Sequence, residues 1–205
     1  MEETEVKKQL EELEKQKKEL RKQLPKKEKQ GRKLVVFITK EEFEKVFEKC
    51  EDKELKLSLL LAFEAGMRIS EIVGFKRKDG SWKVPPLEKE NVDMNSHTIR
   101  IISGKGNKDR VVPLPKRFNL VAYKMLPIKM ARRTIQHNTT QLCKKVLGKN
   151  LSFHKFRHGF GSHLAGKGRP LHEIQQLMGH SRLDTTGIYL HANPKQAIEG
   201  ARDAF

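Results

Sequence analysis

Six side chains of this sequence have between them the chemistry needed to break and remake a phosphodiester bond without a metal ion. A tyrosine hydroxyl that attacks phosphorus needs the charge of its target neutralised and its leaving oxygen protonated. Two arginines, a lysine and two histidines are groups that meet those needs. The candidate residues are Arg68, Lys105, His154, Arg157, His180 and Tyr189.

Arg68 is predicted to lie between two helices. The apolar run 55–64 is typical of a buried helix, and Gly66 suits the left-handed position that often ends one. We expect Arg68 to precede a further helix over residues 69–75, beside backbone amides that have no partner within the helix. This arrangement predicts an anion site.

The segment 152–164 predicts a helix that carries His154 and Arg157. Ser152 is positioned to cap this helix, and its apolar face consists of Phe153, Phe156, Phe160 and Leu164. His154 and Arg157, three residues apart, share another face. A guanidinium there could hold two phosphate oxygens together with Arg68. His154 is the candidate base for the tyrosine hydroxyl, which is protonated near pH 7.

The last two candidates follow a second short helix. Gly179 is placed to end a helix over residues 171–178, and this would fix the direction of the His180 ring towards a phosphate. Asp184 or Thr185 then caps a helix that presents Tyr189. Tyr123 is the other tyrosine of the sequence, lacks a surrounding motif, and is interpreted as structural.

Four stretches in this order resemble the tyrosine recombinases, or phage-type integrases. Residues 65–72 (AGMRISEI) are similar to the motif around the first arginine of that family, and residues 103–114 (SGKGNKDRVVPL) to its lysine hairpin. Residues 154–160 (HKFRHGF) resemble its His-x-x-Arg box, and residues 177–181 (LMGHS) the segment before the nucleophile. The resemblance runs from about residue 34 to residue 192.

The resemblance implies site-specific DNA recombination or integration. Tyr189 would form a 3′-phosphotyrosyl bond, and the released 5′ hydroxyl would later attack back, so that neither ATP nor any other cofactor is needed. Lys105 would be the general acid, with Lys108 as the alternative, and Glu71 would support the arginines. The family exchanges strands within a four-protomer synapse on double-stranded DNA, and its members usually carry a helical DNA-binding domain ahead of the catalytic domain.

Composition points the same way. A net charge of +17 on 205 residues favours a polyanionic partner such as DNA, although lysine-rich surfaces also serve solubility. Cys50 and Cys143 have no paired spacing, and no apolar run approaches the ~20 residues that span a bilayer. We expect a cytoplasmic protein without a membrane partner.

The predicted fold class is α+β: a mostly helical catalytic domain with a small three-stranded antiparallel sheet, as in DNA breaking-rejoining enzymes. Residues 1–33 form a charged helical segment and linker, with coiled-coil-like spacing up to Pro25, and residues 34–205 the catalytic domain. A capping box joins Thr39 to Glu42 at the first helix of that domain. Strands are expected at Val92, 98–102 and 110–112. The segment 76–86 is interpreted as a loop longer than the family usually has.

Other readings of the same residues remain. His154 and His158 stand four apart, and His163, His172 and His191 are near in sequence, but there is no matching carboxylate or cysteine spacing, so no metal site is predicted. A type IB topoisomerase uses nearly the same active site to relax DNA. A DNA-binding module that has lost activity is the other alternative.

The C-terminal residues 194–205 predict a short helix with one apolar side, carried by Ala197, Ile198, Ala201 and Phe205. In related recombinases such a helix docks on a neighbouring protomer. We expect the same here, with docking on its own domain as the alternative.

Overall fold

The computed structural model of the chain describes residues 2–23, 37–102 and 109–179. The chain divides into two compact units, Met1–Leu34 and Val35–Phe205. In the first unit the described residues form helix α1 (Glu2–Gln23), as its charge pattern predicts. Its apolar stripe stays in solvent, since Val6, Leu10, Leu13 and Leu20 are each more than half exposed. Pro25 and the linker lie outside the described residues.

Helices dominate the second unit, as the sequence predicts. They are α2 (Lys40–Lys49), α3 (Lys53–Glu64), α4 (Ile69–Ile72), α5 (Leu120–Lys124), α6 (Arg132–Leu147), α7 (His154–Gly166) and α8 (Leu171–Met178). The capping box at α2 is confirmed: the Thr39 hydroxyl accepts from the amide of Glu42, and the Glu42 carboxylate accepts from the amide of Thr39. No helix in the described part of the chain is long and apolar enough to cross a membrane.

The three-stranded antiparallel sheet is also confirmed. Strands β3 (Val92–Asp93), β4 (Thr98–Ile101) and β5 (Arg110–Pro113) pair in that order, and Arg100 lies opposite Val111. The inward positions of β4 and β5 are buried and the outward ones exposed. A 3-10 turn over Lys89–Asn91 leads into β3.

Two predictions next to Arg68 are wrong. The helix that follows it ends at Ile72 rather than continuing to Phe75, because Gly74 adopts a left-handed conformation with φ of 77°. The segment expected as a loop contains a second, two-stranded sheet, formed by β1 (Phe75–Lys76) and β2 (Trp82–Val84).

The main core lies where α2, α3 and α7 meet. The rings of Phe43 and Phe63 stack at 4.1 Å between centroids, and Phe156 meets Phe43 edge-on at 6.2 Å. A Cβ built on Gly159 would lie 2.7 Å from the carbonyl oxygen of Ile38, so this glycine allows α7 to approach the chain that enters α2. A smaller cluster of Phe160, Ile174 and Met178 joins α7 to α8. Helix α7 is therefore fixed on both sides.

Candidate active site

Arg68 lies between α3 and α4 at the surface of the core. Gly66 has a φ of 63° and, as predicted, turns the chain at the end of α3, where the amide of Met67 donates to the carbonyl of Leu61. The Arg68 guanidinium donates to Glu71 Oε1 and to the carbonyl oxygen of Gly179, both at 2.8 Å. Its side chain is 29% exposed, so part of it remains accessible to a ligand.

The start of α4 differs from the expected open anion site. The amide of Arg68 donates to Glu71 Oε2 at 2.7 Å. A carboxylate of the chain itself therefore accepts from the amide at the start of α4, and α4 is a single turn. What Arg68 presents to a ligand is its guanidinium.

Arg157 lies on α7 and is 1% exposed. It donates to the carbonyl oxygens of Gly66, before α4, and of Met178, at the end of α8. His154, one helical turn earlier, is exposed. His154 and Arg157 are three positions apart on one face of α7, but Arg157 is buried and His154 is exposed. The predicted Ser152 cap is wrong: Phe153 precedes the helix without a side-chain cap, and Ser152 instead accepts through its carbonyl from the amide of Lys155 at 2.9 Å.

Sequence reasoning gave no role to Arg110, the first residue of β5. Its two terminal nitrogens donate to both oxygens of Glu71, each at 2.8 Å, and its Nε donates to the carbonyl of Leu177 at 2.8 Å. The side chain is 6% exposed. A signal was available: alternation along β5 puts Arg110 on the buried face with Val112, and a buried arginine requires a partner.

Three arginines from three elements thus converge on the end of α8. The consecutive carbonyls of Leu177, Met178 and Gly179 accept from Arg110, Arg157 and Arg68 respectively. The last carbonyls of a helix have no partner within it and carry partial negative charge, so guanidinium groups stabilise this end. Gly179, with a φ of 60°, ends the helix as predicted. The residue that precedes His180 is therefore fixed beside Arg68.

Glu71 is the anionic centre of this cluster. Burial raises the pKa of the Glu71 carboxyl, but the hydrogen bonds and charge of Arg110, with the charge of Arg157 and the amide of Arg68, outweigh it and lower the pKa to about 2. Glu71 is ionised at neutral pH and binds Arg68 directly, which is the geometry that a supporting role requires.

His154 lies in a positively charged environment. Loss of part of its hydration to the surrounding protein lowers the pKa of the imidazole below its ordinary value, and the nearby charges of Arg157, Arg68 and Lys155 lower it further. Its ring meets that of His158 edge-on at 4.5 Å between centroids. Among residues 2–23, 37–102 and 109–179 no three His, Cys, Asp or Glu side chains are grouped to hold a metal ion.

Four predicted site residues lie outside the described residues: Lys105, its alternative Lys108, His180 and Tyr189. The structure brings Arg68, Arg157 and Glu71 together, with His154 one helical turn before Arg157 on α7. Tyr123, the other tyrosine, lies on α5 and packs against the main core.

The sequence of the chain matches a known protein family over most of its length. Residues 36–129 and 120–196 match the phage integrase family, and the chain belongs to that family. The tyrosine recombinase XerA of Thermococcus kodakarensis is 32% identical over 192 residues, which are 84% of this chain and 62% of that protein. The chain spans about three fifths of the length of the curated relatives it matches.

Solved structures share the fold. A crystal structure of XerA recombinase superposes with a TM-score of 0.66 at 24% identity, over 87% of this chain and 66% of the other. The catalytic domain of bacteriophage HP1 integrase superposes with a TM-score of 0.56 at 21% identity, over 82% of this chain and 94% of that domain. The α+β architecture is thus that of integrase catalytic domains.

Proposed function

We propose that this chain carries out site-specific DNA recombination as a tyrosine recombinase. Tyr189 attacks a phosphodiester of double-stranded DNA, its oxygen forms a 3′-phosphotyrosyl bond, and the 5′ oxygen leaves as a hydroxyl. The same hydroxyl, or that of a partner duplex, later attacks phosphorus and releases the tyrosine. One ester replaces another at each step, so that no ATP, metal or other cofactor takes part.

The observation that carries this proposal is the convergence of Arg68 and Arg157 on the end of α8. Their guanidinium groups donate to the carbonyls of Gly179 and Met178, the two residues that precede His180, ten and eleven residues before Tyr189. A phosphate attacked by that tyrosine would meet positive charge already in place, which is how charge growing in a transition state is stabilised at low cost. Membership of the phage integrase family, and relatives named tyrosine recombinases, support the same reaction.

Each site residue has a proposed role. Arg68, the partly exposed arginine, binds the phosphate oxygens, and Arg157 adds charge and holds Gly66 against Met178. His154 accepts the proton of Tyr189, and His180 donates a hydrogen bond to the phosphate. Lys105 protonates the leaving oxygen, with Lys108 as the alternative. Glu71 fixes the guanidinium of Arg68.

The partner and assembly follow from the reaction. Two duplexes exchange strands, so we propose a tetramer on DNA with one tyrosine for each of the four strands cut. Residues 34–205 form the catalytic domain, and residues 1–33 a separate charged helical segment. A DNA substrate places the reaction in the cytoplasm. XerH recombinase, whose fold this chain shares at a TM-score of 0.56, is known as a complex with its difH substrate.

The direct test is covalent capture. The chain is incubated in excess EDTA with a labelled duplex nicked so that the cleaved end diffuses away, and products are separated under denaturing conditions. We expect a protein–DNA adduct with the DNA 3′ end attached to protein. Cleavage that requires added magnesium or zinc would contradict the mechanism, since arginines and lysine replace the metal in it.

The two rivals give different products. A topoisomerase would relax a supercoiled plasmid without recombining paired sites, whereas the proposed enzyme yields recombinants when two copies of its site are supplied. An inactive DNA-binding module would bind the duplex and give no adduct on any sequence. Sequencing the DNA captured by the adduct would identify the site.

A further inference from the structure

The β1–β2 hairpin, residues 75–84, stands out because it buries so little of itself. Every residue from Lys76 to Lys83 is exposed, including Trp82, which is 46% exposed. Such an element gains little from apolar burial, which is the main stabilising contribution in a fold of this size. Packing in the core therefore does not account for it.

This segment, residues 75–84, which we call the basic hairpin, has a positive net charge. It carries Lys76, Arg77, Lys78 and Lys83 against the single carboxylate of Asp79, a net charge of +3. Asp79 is used within the turn, where it accepts from the amide and the hydroxyl of Ser81 at 2.9 and 2.6 Å. In the part of the chain that the structure describes, none of the four cations forms an ion pair with a carboxylate.

Two of the cations are held in place by contacts with aromatic rings. Lys76 Nζ lies 4.7 Å from the centre of the Trp82 ring, and Lys83 Nζ lies 5.8 Å from that of Phe75. Trp82 in turn covers Gly74, on which a Cβ would lie 2.5 Å from the indole. Arg132, at the exposed start of α6, faces the Phe75 ring at 4.8 Å and adds a further positive charge. Such pre-ordering reduces the entropy lost on binding a partner.

The hairpin also begins near the candidate active site. Phe75 lies seven positions after Arg68 in the sequence, and a chain of that length spans at most about 25 Å. Along a duplex that distance is about seven base pairs, at 3.4 Å each. A single duplex is therefore long enough to reach both Arg68 and the start of the hairpin.

We propose that the basic hairpin binds the phosphate backbone of the duplex beside the cleaved position. The cations of the basic hairpin, which form no ion pairs with carboxylates among the described residues and lie around the Trp82 ring, suit the regularly spaced phosphates of a duplex. Contacts with phosphates add affinity without selecting a DNA sequence. The location beside the cleaved position rests on the proposed function. Binding itself does not depend on the chemistry, so the two are tested separately.

The test compares two charge-matched triple variants of the full chain. Lys76→Gln, Lys78→Gln and Lys83→Gln neutralise the hairpin and leave Arg77, which holds the turn, in place. Lys45→Gln, Lys144→Gln and Lys145→Gln remove the same charge from exposed positions on α2 and at the far end of α6 from Arg132. Fluorescence anisotropy measures the affinity for a 30-base-pair duplex at several salt concentrations, and thermal melting checks the fold.

We expect the hairpin variant to bind about tenfold more weakly, with a log–log salt slope smaller in magnitude by about three, since three lysines are removed and each phosphate contact contributes about 0.9. The control variant should change the slope by less than one. Lys78→Gln alone removes no contact with an aromatic ring and should lower the magnitude of the salt slope by about one. This single variant keeps the test informative if the triple variant unfolds. Equal slopes for the two triple variants would overturn the proposal.

A second copy of this chain is the other conceivable partner for the hairpin. If sedimentation without DNA shows that the hairpin variant loses self-association while its salt slope is unchanged, the surface is a protein interface and the proposal is wrong. Adduct formation by the unmodified chain is scored in parallel. An adduct with equal slopes refutes the hairpin alone, and a slope difference without any adduct refutes the proposed function alone.

Discussion

At the scale of single residues, the site is defined by how charge is balanced around Glu71. One carboxylate binds Arg68 and Arg110, while Arg157 lies near enough to lower its pKa. Removing one member of a buried ion pair leaves the other uncompensated, at a cost of about 3–5 kcal/mol. The supporting groups therefore matter as much for the site as the groups that would touch DNA.

His154 should set the acid side of the pH profile for cleavage. Its pKa is lowered below the ordinary 6.5, so the imidazole is neutral at pH 7 and able to accept a proton. The cleavage rate should fall as pH drops through that lowered pKa, because protonation removes the base. His154→Gln should cleave about a hundredfold more slowly and lose this dependence.

His163 provides the matched control for that measurement. It lies on the same helix, and its pKa is also lowered, first by burial and then by Lys40 and Lys167. His163→Gln should keep both rate and profile. An acid limb that persists in His154→Gln, or that has its midpoint above 6.5, would show that another group is the base.

The choice between Lys105 and Lys108 is open to a chemical test. Lys105→Ala should slow cleavage strongly on ordinary DNA but little on DNA with sulfur in place of the bridging 5′ oxygen, because a thiolate leaves without a proton. Single-turnover rates on the two substrates measure the difference. Rescue of Lys108→Ala, and not of Lys105→Ala, would reverse the assignment.

At the scale of elements, the decisive feature is the end of α8, where three guanidinium groups bind three consecutive carbonyls. Local signals in the sequence predict the caps at Thr39, Gly66 and Gly179, because capping depends on residues within one turn. They do not predict that Arg110 binds Glu71, 39 residues away, since that contact exists only after the sheet packs on α4 and α8.

The strands of the basic hairpin are not predicted from the sequence, for a different reason. Its turn contains Asp79-Gly80, a strong hairpin signal, but the flanking residues are charged and do not alternate in hydropathy. The apolar pattern that normally reveals strands is absent because the strands cover no core. Lysines stacked on aromatic rings stabilise the hairpin instead.

Gly179→Ala should separate the role of this helix end from ordinary capping. Gly148 ends α6 with a similar φ of 66°, and a Cβ there meets nothing within 4 Å, whereas a Cβ on Gly179 lies 3.0 Å from Arg110 Cδ. Both alanines pay about 1–2 kcal/mol for the left-handed conformation. In addition Gly179→Ala displaces Arg110, and should slow cleavage at least tenfold.

Melting temperatures and single-turnover cleavage of the two alanine variants make this comparison. Cleavage by Gly148→Ala, measured well below its melting temperature, should match that of the unmodified chain. If Gly179→Ala cleaves as fast as Gly148→Ala, the alignment of α8 with Arg110 has no bearing on the site.

At the scale of the whole molecule, the described residues form a helical scaffold that gathers a cationic cluster, and membership of the phage integrase family supports the reaction that we propose for it. The segment 180–205, which contains Tyr189 and the C-terminal tail, lies outside the described residues. Its roles therefore stay predictions from the sequence. The proposed synapse depends on that segment most.

The C-terminal tail should couple protomers. Deleting residues 195–205 removes Ala197, Ile198, Ala201 and Phe205, which are predicted from the sequence to form the apolar side of a short helix. We expect the shortened chain to melt as before and to bind DNA, while synapsis of paired sites weakens and recombination slows. Gel-shift detection of the synaptic complex tests this. Recombination at the full rate would mean that the tail has no such role.

The proposed function depends above all on Tyr189 as the nucleophile, and the chain offers its own control, since Tyr123 is the other tyrosine. Tyr189→Phe removes one hydroxyl and no charge, as does Tyr123→Phe. The measurement is covalent capture of a labelled nicked duplex in EDTA, with peptide mapping of the adduct. We expect an adduct on Tyr189 with the unmodified chain and with Tyr123→Phe, and none with Tyr189→Phe, which should still bind DNA. An adduct formed at the full rate by Tyr189→Phe, or DNA mapped to Tyr123, would contradict it.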